Sequence, residues 1–419
     1  MKNRSRIIVY SIMSILIVGM LSSVLTIYLV NISRQNEVIL SASEYEKLRE
    51  AALVSEIADK VDEYFYFDKP ERSSLLNAAA QGMVASLNDD YAKYYTNEEY
   101  EDYLSSMNGE YSGIGILVSQ PDDTGAEILD VYEGNPAAAA GVQPGDIIIR
   151  VDGNEVSNMT LENLSYAING EIGTKLILTL KRAEDNGNTS ELDIEVTRAM
   201  VNIKRVHHSL FNQRTGYIRI DMFSGECAKE FEDAVRDLTD RGISLIFKSL
   251  VIDLRNNPGG SLDAVVNIAD IILEECTIVS IRGNNPENER VYSSNAKGIS
   301  VPIAVMINEN SASASEILAA SVQENNAGVI VGMPSFGKGI VQTTMRLDSN
   351  LGWLKLTTEA YYTPNGNNIH GVGIMPDIEV DLNDELKGLT ISKLISDYQQ
   401  DDTQLWAALD YVRAKAIEQ

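Results

Sequence analysis

A long apolar segment near the N-terminus is the strongest hydrophobic pattern in the chain. Residues 7–30, 24 in all, contain no charged side chain. As a helix they would measure about 36 Å at about 1.5 Å per residue, enough to cross about 30 Å of hydrocarbon. Three basic residues precede the segment and only Arg34 follows closely, so the positive-inside rule places the N-terminus in the cytoplasm. We expect a membrane anchor with the rest of the chain outside the cytoplasm; a cleaved signal peptide is the alternative.

Helical spacing of apolar residues continues after this segment. Leu75, Leu76, Ala79 and Met83 recur at the spacing of one helix face, which predicts a helix over residues 71–87. An earlier helix is predicted over residues 44–60. Together these patterns indicate a helical region that ends near residue 104.

Short apolar runs separated by turn residues predict a β-rich module next. Strands are expected at residues 113–119, 147–151 and 175–181, and a short helix at residues 161–168. The turn signals Gly-Asn-Pro and Gln-Pro-Gly-Asp separate two of these runs. Many short strands with one or two helices are typical of a small β-rich domain.

Buried strands alternate with helices from about residue 201 to residue 384. Residues 245–254 and 301–308 are nearly continuously apolar, and each segment precedes a turn of small residues and a helical pattern, at 262–273 and 316–324. This alternation is typical of a layered α/β domain. Turns that follow buried strands are where such domains place their active sites.

Composition removes some function classes. The formal charge of −27 over 419 residues argues against a nucleic-acid backbone as partner, because that surface favours Lys and Arg. The two cysteines, Cys227 and Cys276, are too few for a disulfide scaffold, and the sequence leaves open whether they pair.

Three serines alternate with alanines just before the helical pattern at 316–324. Ser313 stands three residues before Glu316, the spacing of a capping box in which a serine only closes the first helical turn. A serine at a helix N-terminus also lies among unsatisfied N–H groups, which suit a developing oxyanion. Of the three, Ser315 is the better candidate for a purely structural cap.

A lysine is the best candidate to activate such a serine. None of the three histidines lies in a G-x-S-x-G motif, so a Ser-His-Asp triad is unsupported, although spacing alone does not exclude one. A neutral lysine can serve as the base if burial or a positive neighbour lowers its pKa. Lys338 lies between two glycines after a buried strand, and Gln342 follows four residues later, where it could hydrogen-bond the amine.

The sequence Gly113-Ile114-Gly115-Ile116 opens the β-rich module. Glycine-rich backbone before a strand offers N–H groups to a terminal carboxylate, and a peptide can then add as a further strand. The pattern is weak alone but is strengthened by the sequence GNPAAAAGVQPGDIIIRVDG that follows.

Three motifs together resemble the carboxy-terminal processing proteases, also called tail-specific proteases. They are VIDLRNNPGG, SASASEI and GMPSFGKGIVQ, and the likeness extends over residues 45–415, including LTTEAYYTPNGNNIHGVGIMPDIEV. The glycine-rich module resembles a PDZ domain. Ser335 stands where the family pattern suggests Thr, and Met333 where Glu or Asp is common; neither departure touches the expected site.

The resemblance assigns roles to individual residues. It implies that Ser313 is the nucleophile, that Lys338 is its base and that Gln342 orients the lysine. Backbone N–H groups of Ala314 and of a glycine, Gly259 or its close rival Gly260, would form the oxyanion hole. No metal or other cofactor is implied.

The fold class implied is α/β: a crotonase- or ClpP-like layered protease core with an inserted β-rich PDZ domain, N-terminal helices and one transmembrane helix. The chain is expected to begin with a cytoplasmic stub and anchor (residues 1–35) and a helical region (36–104). The PDZ domain (105–184), the protease core (185–385) and a C-terminal helical segment (386–419) are expected to follow.

The protein is expected to be a serine endopeptidase anchored in the cell membrane by a single transmembrane helix. It is expected to cleave protein C-terminal tails through an acyl-enzyme. The alternatives are a PDZ scaffold with an inactive protease domain and a Ser-His-Asp protease that uses His370. The sequence leaves open whether the chain forms a homodimer.

Overall fold

The computed structural model describes residues 2–34, 41–108, 110–157, 159–184, 187–212, 214–240, 247–284, 289–295, 298–348 and 351–418. The chain divides into two compact units, Met1–Ser86 and Leu87–Gln419.

The first unit consists of three helices, α1 (Lys2–Arg34), α2 (Ala42–Tyr64) and α3 (Arg72–Ala85). Within α1, Tyr10–Tyr28 has a mean hydropathy of 2.0, is long enough to cross a membrane and has none of its surface buried. A membrane anchor and a signal sequence share these properties. Arg72 Nη1 donates to Asp59 Oδ1 at 2.7 Å and links α3 to α2.

The second unit begins with β1 (Lys93–Tyr95) and α4 (Asn97–Asn108). A two-stranded antiparallel ribbon of β2 (Glu110–Gly113) and β9 (Ala199–Asn202) follows. Because Gly113 pairs with Ala199, the chain leaves and re-enters at neighbouring points, and the segment between them is an insertion.

This inserted module is a sheet of short strands with two helices. The strands pair in the order β3 (Ile116–Val118), β4 (Ala126–Val131), β5 (Ile147–Val151), β7 (Lys175–Ala183) and β8 (Thr189–Thr197), with β6 (Asn154–Glu155) beside β5. The helices are α5 (Pro136–Ala139) and α6 (Leu161–Ile168). Thr160 accepts the N–H of Asn163 and caps α6, which begins at the predicted residue.

The sheet continues beyond the expected boundary at residues 184 and 185. Strand β8 pairs with all nine residues of β7, from Lys175 opposite Thr197 to Ala183 opposite Thr189. Its alternating polar and apolar residues escaped the sequence analysis because the polar turn before it resembled a domain edge. Residue 185 lies outside the described residues.

The α/β core is built on a six-stranded sheet. Its order is β10 (Val206–Phe211), β11 (Thr215–Ile220), β12 (Ser249–Asp253), β15 (Ile303–Ile307), β16 (Gly328–Gly332) and β19 (Ile378–Glu379). All neighbours except β10 and β11 run parallel. On one face, helices α7 (Cys227–Asp240), α8 (Leu262–Ile272) and α9 (Ala314–Glu324) bury a large apolar cluster.

The other face of this sheet is covered by the C-terminal segment. A 3₁₀ turn (Asp384–Leu386) and α10 (Ile391–Asp397) lead to α11 (Thr403–Glu418). Leu405 and Leu409 of α11 pack against Val251, Met306 and Val331 of the sheet. Burial of both faces explains why these strands are nearly continuously apolar.

A second, antiparallel sheet was not separated in the sequence analysis. It joins β1, β18 (Trp353–Tyr362), β13 (Cys276–Gly283) and β14 (Arg290–Ser294), and β17 (Ile340–Arg346) also pairs with β18. Its strands come from distant parts of the chain, so local patterns could not show that they pair.

A fully buried ionic network fastens the C-terminal segment to the core. Arg255 bonds Asp253 at 2.7 Å and Asp402 at 2.9 Å. Tyr217 donates to Asp253 Oδ2 at 2.8 Å. Because each charge is paired and hydrogen-bonded, loss of either partner would leave a buried charge unsatisfied.

The strand predicted over residues 245–254 became β12, and its residues 245 and 246 lie outside the described residues. Both cysteines are free; Cys227 is buried and Cys276 is half-buried.

Candidate active site

The structure distinguishes the three alternating serines. Ser311 and Ser315 are fully buried. Ser311 Oγ donates to the Leu254 carbonyl at 2.8 Å, and Ser315 Oγ donates to the Asn257 carbonyl at 2.9 Å. Ser313 alone of the three lines a cavity. Two hydroxyls therefore fasten this segment to the turn after β12, whereas Ser313, which forms a capping box with Glu316, faces the cavity.

Ser313, not Ser315, occupies the N-cap position of α9, which corrects the expectation for the structural cap. Its φ is 56°, a left-handed conformation that is uncommon for a residue other than glycine. Such strain persists only where the surroundings over-determine it, and it clusters at functional sites.

Glu316 holds the turn at Ser313 and the turn at Lys338 together. Its fully buried carboxylate accepts the N–H of Ser313 at 2.7 Å. It also accepts the N–H groups of Gly337 and Lys338 at 2.7 and 2.8 Å and the Ser335 hydroxyl at 2.6 Å. From sequence alone, Glu316 is recognisable only as a capping-box partner, since the bonds to residues 335–338 depend on tertiary structure.

One cavity of about 390 Å³ collects the residues expected at the site. Ser313, Ala314, Gly259, Lys338 and Gln342 all line it. The wall is completed by apolar side chains of β13, α8 and β17 and by the polar groups of Lys355, Tyr103 and Tyr361.

Lys338 is half-buried in this cavity. Burial and the positive charge of Lys355 lower the pKa of Lys338 below its usual range, while the carboxylates of Glu316 and Asp89 act in the opposite direction. The Lys338 ammonium lies 4.5 Å from the centre of the Tyr91 ring. An amine with a lowered pKa is more easily neutral and therefore more able to accept a proton.

The expected hydrogen bond between Gln342 and Lys338 is not among those of the described residues. Gln342 Nε2 instead donates to Thr357 Oγ1 at 3.3 Å, across the pair of strands β17 and β18. No hydrogen bond joins the Ser313 and Lys338 side chains in the described part of the chain either, although both line the cavity.

Backbone N–H groups beside Ser313 differ in availability. The N–H of Gly259 donates to Asn257 Oδ1 at 2.8 Å and is engaged. In the described part of the chain, the N–H groups of Gly260 and Ala314 have no hydrogen-bond partner. The geometry thus favours the rival Gly260 over Gly259 as a donor.

Gly259 has a steric role at the same place. Its φ is 100°, and a Cβ there would lie 2.8 Å from Ser313 Cβ and 2.9 Å from the Ala314 nitrogen. Only glycine permits this approach of the turn after β12 to the nucleophile.

The described histidines do not line the cavity. His207 bonds Asp221 at 2.9 Å and His208 lies 3.4 Å from Asp237. His370 is exposed, and its backbone packs against Gly339.

A second cavity of about 360 Å³ lies in the inserted module. Ile114, Gly115 and Ile116 line it opposite Ser165 and Ile168 of α6. Gly113 is the last residue of β2, just before this wall. Asp102 and Ser105 of α4 also reach this groove, which local sequence patterns did not indicate.

Both parts of the second unit are similar to known protein families. The model of peptidase family S41 matches residues 214–380, and a PDZ-domain model matches residues 127–182. A carboxy-terminal-processing protease of Bartonella bacilliformis is 34% identical over 84% of this chain and 81% of its own length.

Two further proteins are similar. A probable CtpA-like serine protease of Staphylococcus aureus strain COL is 32% identical over 75% of this chain and 62% of its own length. A solved structure assigned to the S41 proteases, from Bacteroides fragilis NCTC 9343, has a TM-score of 0.55 and 19% identity over 84% of this chain and 92% of its own, and shares the fold. This chain therefore belongs to the carboxy-terminal-processing proteases of peptidase family S41 and carries a PDZ domain.

Proposed function

We propose that this protein is a membrane-anchored serine endopeptidase that acts outside the cytoplasm on protein C-terminal tails. The observation that carries the proposal is the single cavity shared by Ser313, Lys338 and the unpaired N–H of Ala314. A nucleophile, a base and an oxyanion donor are the three groups that acyl transfer requires.

Each residue has a defined step. Ser313 Oγ attacks the scissile carbonyl while the neutral Lys338 amine takes the hydroxyl proton. The N–H groups of Ala314 and Gly260 stabilise the oxyanion of the tetrahedral intermediate. Lys338 then gives its proton to the leaving amine as the C–N bond breaks. A water molecule, deprotonated by Lys338, hydrolyses the resulting ester and frees Ser313.

Substrate docking is proposed to complete the contact between Ser313 and Lys338. Catalytic hydrogen bonds are often long before substrate binds and tighten in the Michaelis complex. Gln342 lines the same cavity and needs only to exchange its bond with Thr357 for one with the amine.

The PDZ groove is proposed to receive the free carboxylate of a tail. The backbone at Gly113, Ile114, Gly115 and Ile116 lies beside β3, where a peptide can add as a strand. Asp102 lines this groove and the next residue, Tyr103, lines the catalytic cavity. Helix α4 thus gives a route by which docking in the groove could alter the protease site.

A fluorophosphonate probe tests the nucleophile. We expect the full-length protein to be labelled at Ser313 and to lose labelling in Ser313→Ala. Ser311→Ala and Ser315→Ala are the matched controls, because both hydroxyls are buried in structural hydrogen bonds. Hydrolysis should fall by several orders of magnitude in Ser313→Ala only.

Three results would reject the proposal. Near-normal hydrolysis by Ser313→Ala would show that Ser313 is not the nucleophile. A wild-type chain that is folded but unlabelled and inactive would favour a PDZ scaffold. Loss of activity in His370→Ala, with activity retained in Lys338→Ala, would instead favour a histidine base.

A further inference from the structure

A second lysine shares the catalytic cavity. Lys355 lines it together with Lys338 and Ser313, and its side chain is half-buried. Two half-buried amines in one small cavity repel each other when both are protonated, and this repulsion is screened less than on the surface.

Strand register places Lys355 on the catalytic face of its sheet. Strand β18 pairs with β17 so that Lys355 lies opposite Thr344, and Thr357 lies opposite Gln342. Directly opposed residues of an antiparallel pair project to the same face. Since Gln342 and Thr344 line the cavity, Lys355 belongs to that same row.

Aromatic rings hold Lys355 in position. Its ammonium lies 4.9 Å from the centre of the Tyr103 ring, a cation–π contact that favours the charged form. Tyr103 in turn stacks on Tyr95 with ring centres 5.2 Å apart. This contact holds the Lys355 ammonium at one place in the cavity wall.

We propose that Lys355 is a positioning residue of the peptidase site: its ammonium charge, held by Tyr103, favours the neutral, proton-accepting form of Lys338. The inference rests on the proposed role of Lys338 as base. Lys355 would thus act on the reaction through Lys338, without contacting the scissile bond.

The other charged groups around the two amines set the balance. Glu316 of α9 and Asp89, before β1, face Lys338 and favour its protonated form, and Tyr91 and Tyr361 are nearby phenols. Burial, and then the charge of Lys93, which lies opposite Lys355 in the sheet, lower the pKa of Lys355. Lys355 is therefore the positive neighbour that opposes the two carboxylates at Lys338.

The test measures the protonation of Lys338 without hydrolysis. In full-length Ser313→Ala protein, acetylation of Lys338 by acetic anhydride is followed by mass spectrometry across pH. Adding Lys355→Met should move the midpoint of Lys338 reactivity to higher pH. Lys355→Arg, which keeps the charge, should not, nor should Lys181→Met, which removes an exposed charge from the PDZ domain.

The pH dependence of peptide hydrolysis is the second measurement. In the protein with Ser313 intact, Lys355→Met should lower kcat/KM several-fold on the rising limb of the pH profile and leave the high-pH plateau nearly unchanged. Lys355→Arg should keep the wild-type midpoint.

An unchanged midpoint of Lys338 reactivity in Lys355→Met overturns the inference. An equal shift in Lys355→Arg also overturns it, because packing and not charge would then be responsible. If the midpoint moves as expected but Lys338→Ala still hydrolyses peptides, the coupling between the lysines stands and the proposed function fails.

Discussion

Glu316 Oε2 accepts the backbone N–H of Lys338 at 2.8 Å, and this bond joins the lysine turn to the helix that begins at Ser313. The same oxygen accepts the Ser313 N–H at 2.7 Å. The separation of the Ser313 and Lys338 backbones therefore depends on one buried carboxylate. Charge-assisted hydrogen bonds are shorter and stronger than neutral ones, so the arrangement is rigid.

Replacing this carboxylate should disturb both turns. We expect the Glu316→Gln variant to be less stable, because each hydrogen bond to a charged group contributes about 1.5–3 kcal/mol. The amide NH2 of the glutamine is itself a donor and cannot accept the backbone N–H groups that the carboxylate accepts. The rate of peptide hydrolysis should also fall, and by more than the loss of folded protein accounts for. Chemical denaturation and peptide hydrolysis measure the two effects, with the exposed Glu309→Gln as control. Equal behaviour of the two variants would show that Glu316 does not hold the site.

Activity should rise with pH over a range below that of an ordinary lysine. Burial and then Lys355 lower the pKa of Lys338. Below that pKa the amine is protonated and inactive, and above it the amine is neutral and can accept the Ser313 proton. Lys338→Arg should be inactive at every pH tested, because arginine stays charged. Ordinary turnover by Lys338→Arg would contradict the Ser-Lys mechanism.

Gly259 should tolerate no side chain. The Cβ of Gly259→Ala would lie 2.8 Å from Ser313 Cβ, in a backbone of φ 100°. Gly366→Ala is the control, because φ there is 82° but no atom lies within 4 Å of the new Cβ. Both should lose roughly 1–3 kcal/mol of stability from backbone strain. Only Gly259→Ala should also lose hydrolysis; retained activity would show that the close approach is dispensable.

A substrate with a free C-terminus should be cut faster than the same peptide amidated. Amidation removes the negative charge that the backbone N–H groups near Gly115 would bind. Asp102 lines the same groove, so Asp102→Asn should bind a free-carboxylate peptide several-fold more tightly by removing a like charge. The control is Glu101→Gln, an exposed neighbour. Fluorescence anisotropy measures binding, and equal Kd values for free and amidated peptides would rule out carboxylate recognition.

The apolar helix should remain attached to the mature protein. Tyr10–Tyr28 is long enough to span a membrane, and we expect the basic residues at positions 2, 4 and 6 to keep its start on the cytoplasmic side. Membrane fractions should contain a chain that begins near Met1 and whose protease domain is digested from outside. A soluble form that starts after about residue 30, with no membrane form, would identify a signal peptide.

Local patterns determined much of the architecture from sequence. Continuous apolar runs marked β12 and β15, helical spacing marked α3, and short runs with turns marked the inserted module. These features are readable because each depends on neighbours a few residues apart. The motifs around Ser313 and Lys338 indicated the family for the same reason.

Only the tertiary structure decided how the site is built. It showed which serine faces the cavity, because Ser311 and Ser315 are buried and bond carbonyls 57 and 58 residues away. It brought Lys355 into the cavity that Lys338 lines, through the pairing of β17 with β18. It also showed that the Gly259 N–H is already used and that Glu316 binds both turns. Except for the bond between Gly259 and Asn257, these contacts join residues that are distant in the chain, and their distances and burial follow from packing, which no local pattern records.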